Sequence, residues 1–170
     1  KNCIVVRVDA SFGDGWFYEG AGIYRHVWLT KSDALHLGKW ESYVRAELKG
    51  DTAALSLSSV IVNEGKDAEG ASVSWQILDP AGKTVAAADA PAQPTAADGA
   101  VTFNAAAQID HPALWSVETP NLYTAIVTVD SDGKSRDAER VSFGVRTAVF
   151  DADKGFFLNG KPVKIKGTCN

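Results

Sequence analysis

The glutamates Glu19, Glu41, Glu47, Glu64, Glu69, Glu118 and Glu139 are the side chains from which acid/base chemistry would have to be built. Two carboxyls held close together can divide the roles of general acid and base. These residues instead fall mostly in turns or at outward strand positions, where solvated surface is the expectation. His26 lies in the run IYRHVWL with no second His, Cys or carboxylate at ligand spacing, so it reads as a packed or surface group. His36 has no catalytic context either. Asp130-Ser131-Asp132-Gly133 opens like a calcium loop, but the twelfth position is Val141 where a bidentate Glu is needed. A hairpin turn accounts for those four residues better. Cys3 and Cys169 lie near opposite ends without zinc spacing. They read as two free thiols buried as small apolar groups, and whether they pair is left open. The expectation is therefore no metal and no cofactor. The stretch SFGDGWFYEGAG carries Trp16, Phe17 and Tyr18 among glycines. Such a cluster suits either a sugar-stacking, pocket-edge loop or an aromatic plug between packed domains, and the plug is the preferred reading.

The elements that would position these groups are strands. The chain has 170 residues, 45% of them apolar, enough for one domain with additional elements. No apolar run approaches the ~18 residues of a membrane span. The net charge is −4 with acids and bases interleaved, and the lack of a basic stripe argues against nucleic acid. Lys1 to Cys3 does not resemble a signal peptide. The chain contains no Met, and both ends fall inside patterned segments, which suggests a piece of something longer.

Period-two alternation dominates. In LWSVETPNLYTAIVTVD, residues Tyr123, Ala125, Val127 and Val129 share one face, and the stretch reads as a central strand. Cys3 to Asp9 and Ile23 to Leu29 read as strands, with Thr30 to Trp40 crossing between sheets. From Tyr43 onward, Val44, Ala46 and Leu48 alternate with Tyr43, Arg45 and Glu47. Leu55, Leu57 and Ile61 line the next strand, where Ser58-Ser59 suggests a bulge. Asn63 to Gly70 reads as a polar loop. Val73, Trp75 and Ile77 face inward before the turn Asp79-Pro80-Ala81-Gly82. Thr84 to Ala90 is a weak strand, Ala90 to Gly99 a proline-containing loop, and Val101 to Ile109 a further strand. Arg140 to Arg146 alternates again with Val141, Phe143 and Val145 inward, Asn159-Gly160 marks a hairpin turn, and Val163 to Gly167 starts a strand. About seven strands over roughly 100 residues give an all-β, immunoglobulin-like β-sandwich with flanking strands from neighbouring domains.

GAGIYRHVWL (Gly20 to Leu29), LWSVETPNLY (Leu114 to Tyr123) and FGVRT with KGFFLNGKPVKIKGTCN (Phe143 to Asn170) together resemble glycoside hydrolase family 2. That family holds β-galactosidases, β-glucuronidases and β-mannosidases, and the wording is most similar to the β-galactosidase branch. The resemblance implies that residues 1–31 are the last strands of a jelly roll. Residues 32–147 would be the sandwich, and 148–170 a linker and the first strand of a (β/α)8 barrel. It implies retaining hydrolysis of a terminal β-linked sugar by two glutamates deep in the barrel. None of the glutamates here matches them, so no catalytic residue is carried over. Asn170 matches the family Asn just before a substrate-contacting His that follows it, so Asn170, Trp16 and Tyr18 are the candidate substrate-proximal residues. The implied partners are the neighbouring jelly roll and barrel and, through the parent, a carbohydrate. No nucleic acid or membrane is expected, a homo-oligomer is open, and an extracellular or periplasmic location is slightly favoured. The alternatives are another activity of the same family, or a free-standing carbohydrate-binding or interaction sandwich.

Overall fold

A computed structural model describes residues 3–9 and 22–167. The chain divides into two compact units, Lys1–Lys31 and Ser32–Asn170.

In the first unit the two expected strands are not formed. Residues 3–9 and 22–31 have no β-ladder and are exposed throughout. A strand needs a hydrogen-bonded neighbour, and neither segment has one among the described residues. Their contacts are local: Arg7 pairs with Asp9 at 3.0 Å, His26 stacks on Trp28 at 5.5 Å, and the Arg25 guanidinium lies over the Tyr24 ring.

The regular elements of the second unit are all strands among its described residues. β1 (Leu35–Lys49), β2 (Thr52–Asn63) and β5 (Gly99–Asp110) form one sheet in the order β1-β2-β5. β3 (Glu69–Leu78), β4 (Thr84–Thr95), β6 (Tyr123–Ser131) and β7 (Lys134–Phe143) form the other, in the order β4-β3-β6-β7. All pairings are antiparallel. β8 (Ala148–Asp151), β9 (Gly155–Leu158) and β10 (Lys161–Pro162) form a separate small sheet.

The core is what alternation dictates. Leu55, Leu57 and Ile61 of β2 and Phe103 of β5 meet Val73, Trp75 and Ile77 of β3 and Ala125, Val127 and Val129 of β6, all buried. Trp75 sits on the third strand, and Tyr123 opens the sixth. Its hydroxyl accepts from the Ala113 N–H at 2.8 Å, and its ring stacks on Phe143. This pins the approach to β6, in the manner of the tyrosine corner of such sandwiches. The two-residue turn at Asp132-Gly133 has φ of 51° and 70°, the left-handed pair that a tight hairpin needs.

Four expectations need correction. Residues 35–40 are the first part of β1, not a crossing segment, with Leu35 opposite Asn63. The bulge is not at Ser58-Ser59. β2 pairs with β5 without a break from Thr52↔Asp110 to Asn63↔Gly99, and Ser59 stays in phase, facing the core. The irregularity is in β1 between Leu37 and Ser42, on a sheet edge, where one side of the strand is free to buckle. Ala90 to Gly99 is not a loop, because β4 continues through Pro91 and Pro94 to Thr95. As an edge strand it tolerates residues without an N–H, and Ser72 of β3 faces both Pro91 and Ala92 across a bulge. Val163 to Gly167 is not a strand. Val163 N–H donates to the Phe156 carbonyl at 2.9 Å, and no ladder follows.

Candidate functional site

Trp16, Tyr18 and Asn170, with Phe17, Glu19 and Cys169, lie outside the described residues. Among the described residues no group of three His, Cys, Asp or Glu could hold a metal ion. Cys3 is free and exposed, which corrects the expectation of a buried thiol. Glu41 and Glu47, both on β1, are exposed, as are Glu64 and Glu118 in two loops, while Glu139 on β7 is half-buried. Glu69 is already engaged: it accepts from Ser131 Oγ and Arg136, each at 3.2 Å. This placement assembles no described glutamates into the paired carboxyls that glycosyl transfer to water would need.

Structure concentrates instead at two joints. The first surrounds the start of β1. Arg136, on β7, reaches Asp33 at 3.2 Å with one guanidinium nitrogen and Glu69 at 3.2 Å with the other. Asp137 accepts from the Leu37 N–H at 3.1 Å. His36 Nδ1 lies 3.0 Å from the Asp33 carbonyl. The Ala34 N–H, bonded to Asp33 Oδ1, and then the Arg136 side chain hold the Asp33 carboxyl below its ordinary pKa. One arginine thus binds β7, β3 and the segment preceding β1.

The second joint connects the sandwich to the β8–β10 sheet. Asn159 opens the β9–β10 turn at φ 50°. Its backbone N–H donates to the Thr147 carbonyl at 2.9 Å, and its Oδ1 accepts from the Thr147 N–H at 3.0 Å. Its Nδ2 donates to the Trp115 carbonyl at 3.0 Å. Trp115 N–H donates in turn to the Val145 carbonyl at 2.8 Å, and the Arg146 guanidinium lies 4.8 Å from the centre of the Trp115 ring. Beside this joint runs a groove of about 710 Å³ lined by Trp115, Arg146, Phe156, Leu158, Ile165 and Lys166. Phe150 is 78% exposed and Ile165 67%. These are surfaces for packing, lined by rings, aliphatic groups and cations rather than by a pair of acids.

Trp40 is a third feature. It is 79% exposed in the β1 irregularity, at φ 61°, with Lys39 Nζ 4.7 Å from its ring centre. Neighbouring Tyr43 is also exposed.

Several of these roles were not read from the sequence. Asn63 was assigned to a polar loop but is fully buried. Its Nδ2 donates to the carbonyls of Asp67 and Thr95 at 2.9 and 3.2 Å, and its Oδ1 accepts from the Gly65 N–H at 2.8 Å. Its place in phase with Leu55, Leu57 and Ile61 was the available signal. Asn159 was read for its turn alone. Nothing local marks Arg136, whose partners lie 103 and 67 positions away.

A model of the Glycosyl hydrolases family 2 matches residues 40–146. A β-galactosidase of Bacteroides ovatus is 36% identical over 99% of this chain, which spans 20% of that protein. The crystal structure of a β-glucuronidase of Bacteroides uniformis superposes with a TM-score of 0.84 at 28% identity, over 95% of this chain and 21% of that one. A glycosyl hydrolase family 2 member of Bacteroides cellulosilyticus superposes with a TM-score of 0.79 at 31% identity, over 91% of this chain and 21% of its own. The chain thus spans about a fifth of the length of these relatives. On the family match over most of the sandwich and the agreement of these folds, the chain belongs to glycosyl hydrolase family 2.

Proposed function

We propose that the chain is the non-catalytic sandwich region of a longer family 2 glycosidase that hydrolyses a terminal β-linked sugar, foremost a β-galactoside. In this reading the two glutamates of a retaining double displacement lie outside these 170 residues. Residues 1–31 belong to a preceding jelly roll, 32–147 form the sandwich, and 148–170 lead into the barrel, with Asn170 approaching its substrate side. The sandwich holds the flanking parts in register, and small misplacement of a site costs rate. One observation carries the reading: 99% of the chain aligns within a β-galactosidase five times its length, yet its described glutamates are spread over β1, β3, β7 and two loops. The test is turnover of an aryl β-galactoside by the purified chain. No hydrolysis above a heat-killed control is expected, and reproducible turnover would sink the proposal.

The exposed Trp40 favours a second reading, a free-standing carbohydrate-binding sandwich that holds its ligand through Trp16, Tyr18 or Trp40. Quenching of tryptophan fluorescence on galactose titration, lost in Trp40→Ala, distinguishes it from a spacer.

A further inference from the structure

We infer that Asn159 is a positioning residue: it locks the β8–β10 sheet to the sandwich and so sets the direction in which the chain departs from Val163. The covalent connection is thin. β7 ends at Phe143 and β8 begins at Ala148, so residues 144–147 alone carry the small sheet. Apolar packing adds little. Every residue of β8 is exposed, Phe156 and Phe157 are half-buried, and in the three strands only Leu158 is buried. A sheet held so lightly would swivel about its connector unless polar contacts fixed it.

Asn159 supplies those contacts in two directions. Through Thr147 it closes a ring of backbone and side-chain bonds onto the connector, and through Nδ2 it reaches the Trp115 carbonyl. Trp115 is a firm anchor. A Cβ placed on Gly144 would lie 3.0 Å from the Trp115 Cβ, so glycine is what lets the connector pass this close. The loop bearing Trp115 is held by Asn121 Nδ2, which donates to the Leu114 carbonyl at 3.0 Å. Leu114 itself packs against the sandwich core and the Ala113 N–H is held by the Tyr123 hydroxyl, so the bond from Asn159 ends on the body of the sandwich.

The residue type is restrictive. The position needs a left-handed backbone, one acceptor and one donor, and asparagine provides all three. Glycine keeps the backbone and loses both side-chain bonds. Aspartate keeps the acceptor but turns an oxygen toward the Trp115 carbonyl. The importance of this orientation for catalysis rests on the function proposed above, whereas the lock itself does not.

Two measurements separate them. In the 170-residue chain, with Cys3 and Cys169 replaced by Ser, spin labels are placed at the exposed positions Asp89 of β4 and Asp153 of the β8–β9 turn. Pulsed electron resonance should give one narrow interspin distance, which Asn159→Gly broadens or splits. The Thr147 amide should exchange about tenfold faster in that variant and stay protected in Asn159→Asp. Should Asn159→Gly fail to fold, Asn159→Asp must still broaden the distance, because the bond to Trp115 is lost. A distribution as narrow as the parent's in the folded variant overturns the lock. In the longer glycosidase, Asn159→Gly should lower kcat by about tenfold with a smaller change in KM. A broadened distance with unchanged kcat overturns the spacing role and leaves the lock standing.

Discussion

Two asparagines show how much a single side chain can carry in a fold built by alternation. Asn63 is buried beside aliphatic neighbours because its own amide is satisfied, by the carbonyls of Asp67 and Thr95 and by the Gly65 N–H. Asn63→Ala should lower stability by about 1–3 kcal/mol in urea unfolding, since it leaves those groups unpaired. Trp75 fills the centre between the sheets, and Trp75→Ala should cost about 3–5 kcal/mol by the same measurement. The second loss was foreseeable from Val73, Trp75 and Ile77 alternating with polar residues. The first was legible only in part: Asn63 continues the inward phase of Leu55, Leu57 and Ile61, but its partners on β4 and on the loop before β3 are not disclosed by sequence neighbours.

At the scale of elements, the alternating strands were legible wherever two faces differ in polarity. β3 and β6 appear with the faces that the pattern assigns, whereas β7 runs from Lys134 to Phe143 rather than from Arg140 to Arg146, with Val141 half-buried and Val145 buried beyond its end; the turns at Asp79–Gly82, Asp132-Gly133 and Asn159-Gly160 appear where their residues place them. The misreadings have a common physical origin. Pro91 and Pro94 signal a loop in a central strand but are harmless on the edge that β4 occupies. Leu35 to Trp40 belongs to a strand whose neighbour, the end of β2, lies about two dozen residues on. Cys3 to Asp9, Ile23 to Leu29 and Val163 to Gly167 have strand-like sequences but form no ladder among the described residues, and pattern alone does not make one. The start of β1 also carries a pH dependence. The Asp33 carboxyl is held below its ordinary value of 3.8, so its contribution is complete above that value and is lost as pH falls through the folded-state pKa. Acid should therefore loosen the Asp33–Arg136 contact, and Arg136→Met should flatten this part of the acid limb of the stability curve. An acid limb of equal steepness in the variant would show that the contact contributes nothing.

For the molecule as a whole, the sandwich is closed and well packed, while apolar groups at both ends of the chain stand in solvent. Ile4, Tyr24, Trp28 and Leu29 on one unit, and Phe150 and Ile165 on the other, are each more than half exposed. Exposed apolar surface of this kind marks contact faces. Sedimentation velocity of the isolated chain should show concentration-dependent association, and a strict monomer at high concentration would contradict this reading of both ends. The candidate site was the least legible part. Trp16, Tyr18 and Asn170 stand out only by aromatic clustering and family resemblance and lie outside the described residues, so the proposed spacer role is tested elsewhere. Its most direct test is the coding sequence that follows Asn170. The account predicts a His and then an acidic residue within a few positions, followed by on the order of 250 residues of alternating strand and helix, as a (β/α)8 barrel requires. A stop codon directly after Asn170 would contradict it.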